Sequence, residues 1–343
     1  MRGFISGLAG PALSDRERSF LREAQPWGLI VFKRNVAAGP EALRRLLDEA
    51  RSILDRHAPV LVDQEGGRVQ RLGPPHWPSY PAGAAYGALY DRDREAGLAA
   101  ARFGARLIAA DLSSVGIDVD CMPLADVPVA GADPIIGDRA YGTEPDKVAA
   151  IAGAIAQGLA DGGVLPVLKH IPGHGRAAAD SHNRLPVVDT DRVTLEATDF
   201  AAFRPLARLP MAMTAHVVFT AIDPLAPATL SAPIVRNVIR DSIGFAGLLM
   251  SDDISMGALS GSIGERSKAA IAAGCDVVLH CNGDMAEMLD VAAASPVLAG
   301  AAAERAAAAI AAKRPALPID LAAARASFAK LMSGAGRPVQ VQA

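Results

Sequence analysis

The sequence predicts an α/β fold, a single-domain (β/α)8 TIM barrel, on three observations. Short apolar runs alternate with amphipathic helical segments along most of the 343 residues. Eight of these runs are continuous stretches of mostly apolar residues rather than alternating apolar and polar positions, which indicates parallel strands covered on both faces. No GxGxxG or GxxxxGK[ST] motif follows a run, so the sequence favours a closed barrel over an open nucleotide-binding sheet.

The predicted elements follow one another in the order expected of a barrel. The strands cover 3–7, 29–32, 60–62, 119–123, 165–169, 211–217, 248–251 and 277–280. Apolar residues recur at helical spacing in 40–56, 95–115, 146–162, 194–207 and 234–243. This alternation predicts helices that form a ring outside the strands.

We assign residues 1–333 to one barrel domain and 334–343 to a tail. A barrel of this kind accommodates a chain of this length in one domain. After residue 299 the composition becomes that of an Ala/Arg/Lys-rich helix, and the last stretch is rich in Gly, Pro and Gln. That stretch is predicted to fray.

Composition restricts the class of partner. The formal net charge of -3, without a basic stripe, argues against nucleic acid. No run of about 20 apolar residues predicts a membrane span, and the apolar stretch near the N-terminus is too short for a signal peptide, so a cytoplasmic location is expected. The expected partner is a small-molecule substrate. A monomer agrees with the sequence, which does not fix the oligomeric state.

The cysteines predict neither a disulfide framework nor a zinc site. Cys121, Cys275 and Cys281 are odd in number and form no CxxC pair. Each lies in or beside an apolar run, so we expect buried, reduced thiols.

Polar clusters follow the predicted strands, where the active site of a barrel is built. Charged groups attached to apolar strand ends carry a desolvation cost, which indicates function rather than structure. The clusters are DQEGGRVQR at 63–71, Asp126 and Asp138-Arg139 after the fourth strand, the segment 169–182 after the fifth, His216 in the sixth and SDD at 251–253.

Single members of these clusters also have structural interpretations. Asp63, or one of the two aspartates at 252 and 253, suits the cap of a helix or turn. A lone arginine such as Arg71 or Arg139 suits a surface ion pair. Glu65, followed by two glycines, is expected to make local turn contacts, and His216 is expected to be a hydrogen-bonded lining residue.

The segment 169–182 is less easily explained by structure alone. His170 and His174 have the i, i+4 spacing of zinc helices, but Pro172 and two glycines exclude a regular helix there. Lys169 beside such a site would repel a cation. Ser181 lies in no GxSxG elbow, which disfavours a serine hydrolase. We therefore expect no metal and no organic cofactor.

Asp180 and His182 suggest a different chemistry. In an extended or turn-like loop, side chains two residues apart can lie on one side, and a carboxylate there would orient the imidazole and stabilise its protonated form. Asp252, at the end of the seventh strand, supplies an ionised carboxylate. A nucleophilic carboxylate opposite a proton donor is the arrangement of retaining glycoside hydrolysis.

Four motifs in this order resemble the family 3 glycoside hydrolases of the bacterial β-N-acetylhexosaminidase type. They are VDQEGGRVQR at 62–71, GDRAYG at 137–142, KHIPGHG at 169–175 followed by DSH at 180–182, and SDDISM at 251–256. Together they span most of the chain. Two positions differ from the common family pattern: Ile171 replaces phenylalanine and Ala140 replaces serine.

The resemblance implies a role for each site residue. Asp252 would be the nucleophile, with Asp253 supporting its loop, and His182 would be the general acid/base with Asp180 as its partner. His174 would support the PGHG turn. The implied contacts to the sugar hydroxyls and the N-acetyl group are Asp63, Arg71, Arg139, Lys169 and His170.

The resemblance also implies an activity: exo-acting, retaining hydrolysis of terminal β-linked GlcNAc. The implied substrate is GlcNAc-1,6-anhydro-N-acetylmuramic acid, with or without peptide, in peptidoglycan recycling. The second domain of the family's β-glucosidase branch has no room in this chain, which favours the one-domain hexosaminidases. The alternatives are a β-glucosidase or a glycoside phosphorylase on the same scaffold, a metal-dependent barrel hydrolase, and a sugar-binding protein without catalysis.

Overall fold

A computed structural model describes residues 1–333, and in it eight parallel strands close into a barrel. The order around the barrel is β1-β8-β7-β6-β5-β4-β3-β2, so neighbours in sequence are neighbours in space and the first strand pairs with the last. The predicted fold class is confirmed. The strands are β1 Arg2–Gly7, β2 Pro26–Val31, β3 Val60–Val62, β4 Val119–Asp120, β5 Leu165–Ile171, β6 Met211–Thr214, β7 Leu248–Asp253 and β8 Val277–His280.

Helices surround the barrel and connect its strands. The α-helices are Asp15–Ala24, Lys33–Val36, Pro40–Leu54, Gly83–Arg92, Arg94–Ser113, Pro145–Asp161, Arg192–Ala197, Asp199–Phe203, Ile263–Ala273, Met285–Ala294, Gly300–Ala311 and Leu321–Met332. A π-helix covers Ile234–Ser242, and short 3-10 turns cover Gly137–Arg139, Arg204–Leu206 and Ala228–Leu230. Two-residue and three-residue strands outside the barrel cover Gln64–Gly66, Val69–Gln70, Val187–Val188 and Val218–Phe219.

The strands are buried on both faces. In β1, Ile5 packs among side chains inside the barrel, while its neighbour Phe4 packs against the surrounding helices. In β3, likewise, Leu61 packs inside the barrel and Val60 packs against the surrounding helices. Because both faces are covered, every position of a strand favours an apolar residue, which accounts for the continuous apolar runs in the sequence.

Three strands end earlier than the sequence predicts, the one predicted over 29–32 by a single residue at Val31, and two end later. The strand predicted over 119–123 ends at Asp120, three residues before Pro123, which has no N–H to donate. The one predicted over 211–217 ends at Thr214. In contrast, β5 and β7 include the polar residues that were expected just after them, so His170 and Asp252 lie within strands.

The helix predicted over 194–207 is wrong as a single element. It is divided at Thr198, whose backbone lies at φ -121° and ψ -81° and whose hydroxyl donates to the carbonyl of Thr194 at 2.6 Å. A threonine side chain that competes for backbone partners disfavours a continuous helix. The segment then ends in a 3-10 turn that contains Pro205, which cannot donate a helical hydrogen bond.

The described part of the chain contains no helix long and apolar enough to cross a membrane. The tail predicted over 334–343 lies outside the described residues. The assignment of one domain to residues 1–333 stays a prediction.

Candidate active site

A pocket opens at the carboxyl ends of the barrel strands, where the sequence places the polar clusters. Its volume is about 280 Å³, near the lower end of the range of small-molecule sites. Every site residue predicted from the sequence lines it except Asp180, which lies behind His182. The lining residues are Phe32, Asp63, Arg68, Val69, Arg71, Ile135, Ile136, Arg139, Lys169, His170, His174, Ser181, His182, Met213, Asp252, Asp253, Met256, Leu279 and Cys281.

One wall of the pocket is a chain of alternating charges. Asp63, directly after β3, accepts from Lys169 Nζ at 3.0 Å and from Arg71 at 2.8 Å. Lys169 also lies 2.7 Å from Glu65, and Glu65 accepts two hydrogen bonds from Arg139 at 2.8 and 2.9 Å. Cations and carboxylates thus alternate through the wall, and each charge has a partner of opposite sign.

The pairing keeps these buried groups ionised. Burial alone would raise the pKa of Glu65, but Arg139 and Lys169 lower it to about 2. Burial likewise opposes the ionised form of Asp63, whose pKa Lys169 and Arg71 hold well below its usual range. The pKa of Lys169 is raised above its usual value, because the two carboxylates outweigh its desolvation. The wall therefore presents fixed charges at neutral pH.

The expectation for Glu65 was wrong. Instead of making turn contacts, its carboxylate bridges Lys169 and Arg139 inside the protein, with its side chain 5% exposed. Its partners are distant in sequence, so the local pattern of glutamate and two glycines could not reveal them. The surface ion pair considered for Arg139 is also wrong, because that side chain is 10% exposed and its partner is buried.

The two aspartates at the end of β7 have different surroundings. Asp253 uses both carboxylate oxygens: they accept from the N–H and hydroxyl of Ser255 and from the N–H of Cys281. Within residues 1–333, the carboxylate of Asp252 accepts one hydrogen bond, from the N–H of Asp253 at 2.8 Å. Asp252 faces the pocket with one oxygen uncommitted to any described donor.

The charge state of Asp252 follows from its neighbours. Burial would raise the pKa of its carboxyl, but His216, His170 and the N–H of Asp253 lower it. Asp252 is therefore ionised at neutral pH. An ionised carboxylate with a free oxygen in a pocket is suited to nucleophilic attack.

Two histidines of the KHIPGHG segment, His170 and His174, line the pocket. His170 Nδ1 contacts Asp126 Oδ2 at 2.7 Å, and the N–H of His174 donates to the other oxygen of the same carboxylate. Burial, together with the neighbouring His170, lowers the pKa of His174 to about 4, so that ring is neutral at pH 7. His174 Nε2 lies 3.1 Å from the hydroxyl of Ser181, which joins this segment to the next loop.

His182 and Asp180 are in contact as their spacing suggested. Asp180 Oδ1 lies 2.8 Å from His182 Nδ1 and also accepts the N–H of His182. These bonds lower the pKa of Asp180 despite its partial burial, which raises it. With Nδ1 held by a carboxylate, Nε2 is the nitrogen free to exchange a proton with a bound molecule. The imidazole side chain is 62% exposed.

The predictions for His216 and for the three cysteines are confirmed in part. His216 is buried and hydrogen-bonded, between Thr229 and the carbonyl of Asp253, but it lies beside the pocket rather than in its lining. Cys121 and Cys275 are buried free thiols as expected, whereas Cys281 is partly exposed and lines the pocket.

Several lining residues were missed by sequence reasoning. Phe32 follows β2 and carries the guanidinium of Arg71 over its ring at 5.3 Å. Other apolar residues of the lining are Val69, Ile135, Ile136, Met213, Met256 and Leu279. Phe32 ends a predicted strand and Met256 ends the SDDISM motif, but apolar side chains in a pocket resemble core residues in sequence, so neither was assigned to the site.

No group of three or more His, Cys, Asp or Glu side chains that could hold a metal ion is found among residues 1–333. One ring nitrogen of each histidine that suggested a zinc helix has a hydrogen-bond partner: His170 Nδ1 contacts Asp126 and His174 Nε2 contacts Ser181.

The chain belongs to glycosyl hydrolase family 3 and is a glycoside hydrolase. The model of the family's N-terminal domain matches residues 5–313, which include every residue that lines the pocket and all of the barrel strands except the first three residues of β1. The resemblance drawn from the four motifs is confirmed.

Named relatives agree with this assignment. A β-hexosaminidase of Alkalilimnicola ehrlichii is 42% identical over 284 residues, which cover 81% of this chain and 80% of the relative. The structure of NagZ from Neisseria gonorrhoeae in complex with N-trifluoroacetyl-D-glucosamine has a TM-score of 0.83 at 32% identity and covers 97% of both chains. A β-N-acetylhexosaminidase of Beutenbergia cavernae has a TM-score of 0.74 at 27% identity, covering 97% of this chain and 93% of that one.

Proposed function

We propose that this glycoside hydrolase is an exo-acting, retaining β-N-acetylglucosaminidase that cleaves terminal β-linked GlcNAc. The observation that carries the proposal is one pocket that holds both the ionised carboxylate of Asp252 and the imidazole of His182 backed by Asp180. Two of the relatives named above are a β-hexosaminidase and a β-N-acetylhexosaminidase, and NagZ from Neisseria gonorrhoeae binds N-trifluoroacetyl-D-glucosamine. The small pocket volume supports release of a single terminal sugar.

The reaction takes two steps. Asp252 attacks C1 of the sugar, the bond from C1 to the departing oxygen breaks, and His182 gives that oxygen its proton from Nε2. A water molecule then attacks C1 of the glycosyl-enzyme, His182 accepts its proton, and the bond to Asp252 breaks. Two inversions leave the β configuration retained.

Asp180 and Asp253 serve the two reacting groups. Asp180 orients the ring of His182 through Nδ1, so Nε2 of the imidazole can give a proton in the first step and accept one in the second. Asp253 is occupied by Ser255 and Cys281 and holds the end of β7. This difference in hydrogen bonding supports Asp252, and not Asp253, as the nucleophile.

The charged wall supplies the contacts to the sugar. Its carboxylate Asp63 accepts from hydroxyl groups, and its cations donate to hydroxyl and amide oxygens. Because the wall stays charged and is held by internal ion pairs, it is ordered before the sugar binds. The residues that we assign to sugar binding are Asp63, Arg71, Arg139, Lys169 and His170.

The natural substrate that we propose is GlcNAc-1,6-anhydro-N-acetylmuramic acid, with or without its peptide, acted on in the cytoplasm during peptidoglycan recycling. This step rests on the resemblance to the family. Release of GlcNAc from the purified disaccharide and from its peptide-bearing form tests it. Release from neither form, by an enzyme active on aryl β-GlcNAc, would contradict the proposed substrate.

The nucleophile is tested by trapping. A 2-fluoro glycosyl substrate with a good leaving group should accumulate the covalent intermediate, since fluorine slows its hydrolysis. Peptide mapping should find the adduct on Asp252, and Asp252→Asn should lose about 10³-fold or more in kcat. Asp253→Asn is the matched neighbour and should keep the ability to form the adduct. An adduct on Asp253 would reverse the assignment.

The sugar specificity is tested with aryl glycosides. GlcNAc glycosides should be cleaved with much higher kcat/KM than glucosides, and added phosphate should not replace water in the product. Preferential cleavage of glucosides, or formation of a sugar 1-phosphate, would point to the β-glucosidase or phosphorylase alternative. Inactivation by a chelator would instead point to a metal-dependent hydrolase.

A further inference from the structure

The loop that carries His182 is attached to the segment that follows β7. The N–H of Gly257 donates to the carbonyl of His182 at 3.1 Å, and the N–H of Ala258 donates to the carbonyl of Ser181, also at 3.1 Å. Two consecutive carbonyls of the loop are thus held by two consecutive amides. The side chain of His182 contacts only Asp180 of its own loop among the described hydrogen bonds. The position of the imidazole over the pocket therefore depends on how the backbone of its loop is held.

Gly257 lies too close to the loop for any side chain. A Cβ at this position would be 2.7 Å from the carbonyl oxygen of His182 and 3.2 Å from that of Asn183. Both neighbours are backbone atoms, which cannot rotate away as a side chain would. The φ of Gly257 lies outside the left-handed region, so space and not backbone conformation requires glycine here.

The same segment connects the loop to the proposed nucleophile. It begins at the end of β7, a few residues after Asp252. Arg266 donates to the carbonyls of Ile254 and Met256 at 2.9 and 3.2 Å, which fixes the segment just before Gly257. The backbone from Asp252 to Gly257 and the hydrogen bond from Gly257 to His182 therefore link the two reacting groups.

We infer that Gly257 is a positioning residue for His182. It permits the close backbone contact that sets the height of the imidazole over the pocket relative to Asp252. Gly257 is not among the residues that line the pocket, and it acts through the carbonyl of His182. The inference rests on the proposed role of His182 as general acid/base.

A defined loss of rate is expected for Gly257→Ala. The new methyl group must move the carbonyl of His182 by several tenths of an ångström, and displacements near 1 Å cost about 100-fold in rate. The loss should affect only steps that need proton transfer. A 2,4-dinitrophenyl group leaves without a proton, whereas a phenyl group needs one.

The experiment compares these two leaving groups on β-GlcNAc. For Gly257→Ala, kcat/KM should fall by about tenfold or more with the phenyl glycoside and change by less than about twofold with the dinitrophenyl glycoside. Gly264→Ala, in the helix after the same segment, is the control. Its Cβ would meet only one atom, at 3.8 Å, so both substrates should react as with the unaltered enzyme.

His182→Ala, measured in parallel, separates the inference from the proposed function. If His182→Ala affects both substrates equally, the acid/base role fails. If His182→Ala separates the substrates and Gly257→Ala does not, the positioning role of Gly257 is overturned. Should Gly257→Ala fail to fold, Arg266→Met loosens the same segment from outside the pocket. It should reduce the phenyl rate selectively, by about threefold, and an equal effect on both substrates would overturn the inference.

Discussion

Glu65 illustrates how a buried carboxylate depends on its partners. It lies between Lys169 and Arg139, and its pKa is lowered from the usual 4.5 to about 2. Because the pKa of Glu65 is lower in the folded state than in the unfolded state, its ion pairs contribute fully to the free energy of unfolding above about pH 4.5. This contribution is lost as the pH falls towards 2. Acid should therefore weaken the folded state through this cluster.

We expect Glu65→Gln to lower the free energy of unfolding at pH 7 by roughly 3 kcal/mol, because two buried cations lose a charged partner. The variant should also show a shallower loss of stability between pH 4.5 and 2. Urea unfolding across this pH range measures both effects. Glu41→Gln, at an exposed position, should change stability by less than about 0.5 kcal/mol. An unchanged pH dependence in Glu65→Gln would contradict the argument.

Residues at strand ends could be predicted from the sequence, whereas their partners could not. Asp63 and Lys169 belong to strand ends, and the barrel rule places such ends at one face. The pairing of Glu65 with Arg139 joins residues 74 positions apart. It depends on how the short strand Gln64–Gly66 and the turn Gly137–Arg139 meet, which no local pattern encodes.

Packing between helices gives a prediction at the scale of elements. Gly158, in helix Pro145–Asp161, faces helix Arg94–Ser113 so closely that a Cβ would lie 2.0 Å from the carbonyl oxygen of Arg102. Gly153 lies on the same helix, and its nearest neighbour would be Leu206 Cδ2 at 3.6 Å, an ordinary contact. The packing thus excludes a Cβ at Gly158 but accommodates one at Gly153 of the same helix.

Gly158→Ala should destabilise the protein by about 1–3 kcal/mol, because the helices must separate. Gly153→Ala should instead stabilise it by about 0.5–1 kcal/mol, since alanine favours a helix interior over glycine. Thermal and urea unfolding of both variants measure the difference. Equal changes of the same sign would show that the close approach of the helices does not limit the position.

At the element scale, periodicity predicted where helices and strands lie better than where they end. The apolar period of 194–207 is helical, but Thr198 and Pro205 interrupt the hydrogen bonds that periodicity does not represent. The end of β7 also differs between the prediction and the structure. Polar residues at the end of β7 continue the ladder because their side chains face the pocket and not the core.

The barrel closes through contacts between residues that are far apart in sequence. In the barrel, Phe4 of β1 pairs with Val278 of β8. The sequence could predict this closure only through the count of eight alternating units. Individual pairings and the register between strands follow from packing of the complete barrel.

Helix Leu321–Met332 is attached to the barrel beyond the part matched by the family. Arg325 donates to Asp111 at 2.7 Å, and the hydroxyl of Tyr80 donates to the other oxygen of Asp111 at 2.6 Å. Phe328 of the same helix packs on Tyr86, with ring centroids 6.4 Å apart. Helix Leu321–Met332 thus packs against helices Gly83–Arg92 and Arg94–Ser113.

Arg325→Met should therefore lower the free energy of unfolding by about 1–3 kcal/mol while leaving kcat/KM within about twofold. The substitution keeps the apolar stem but leaves the largely buried carboxylate of Asp111 with Tyr80 as its remaining partner among residues 1–333. Arg236→Met is the control, at an exposed arginine without a side-chain hydrogen bond in that range. Adding Asp111→Asn should recover part of the loss, since the unpaired charge is removed. Equal stability of the two single variants would show that the ion pair does not anchor the helix.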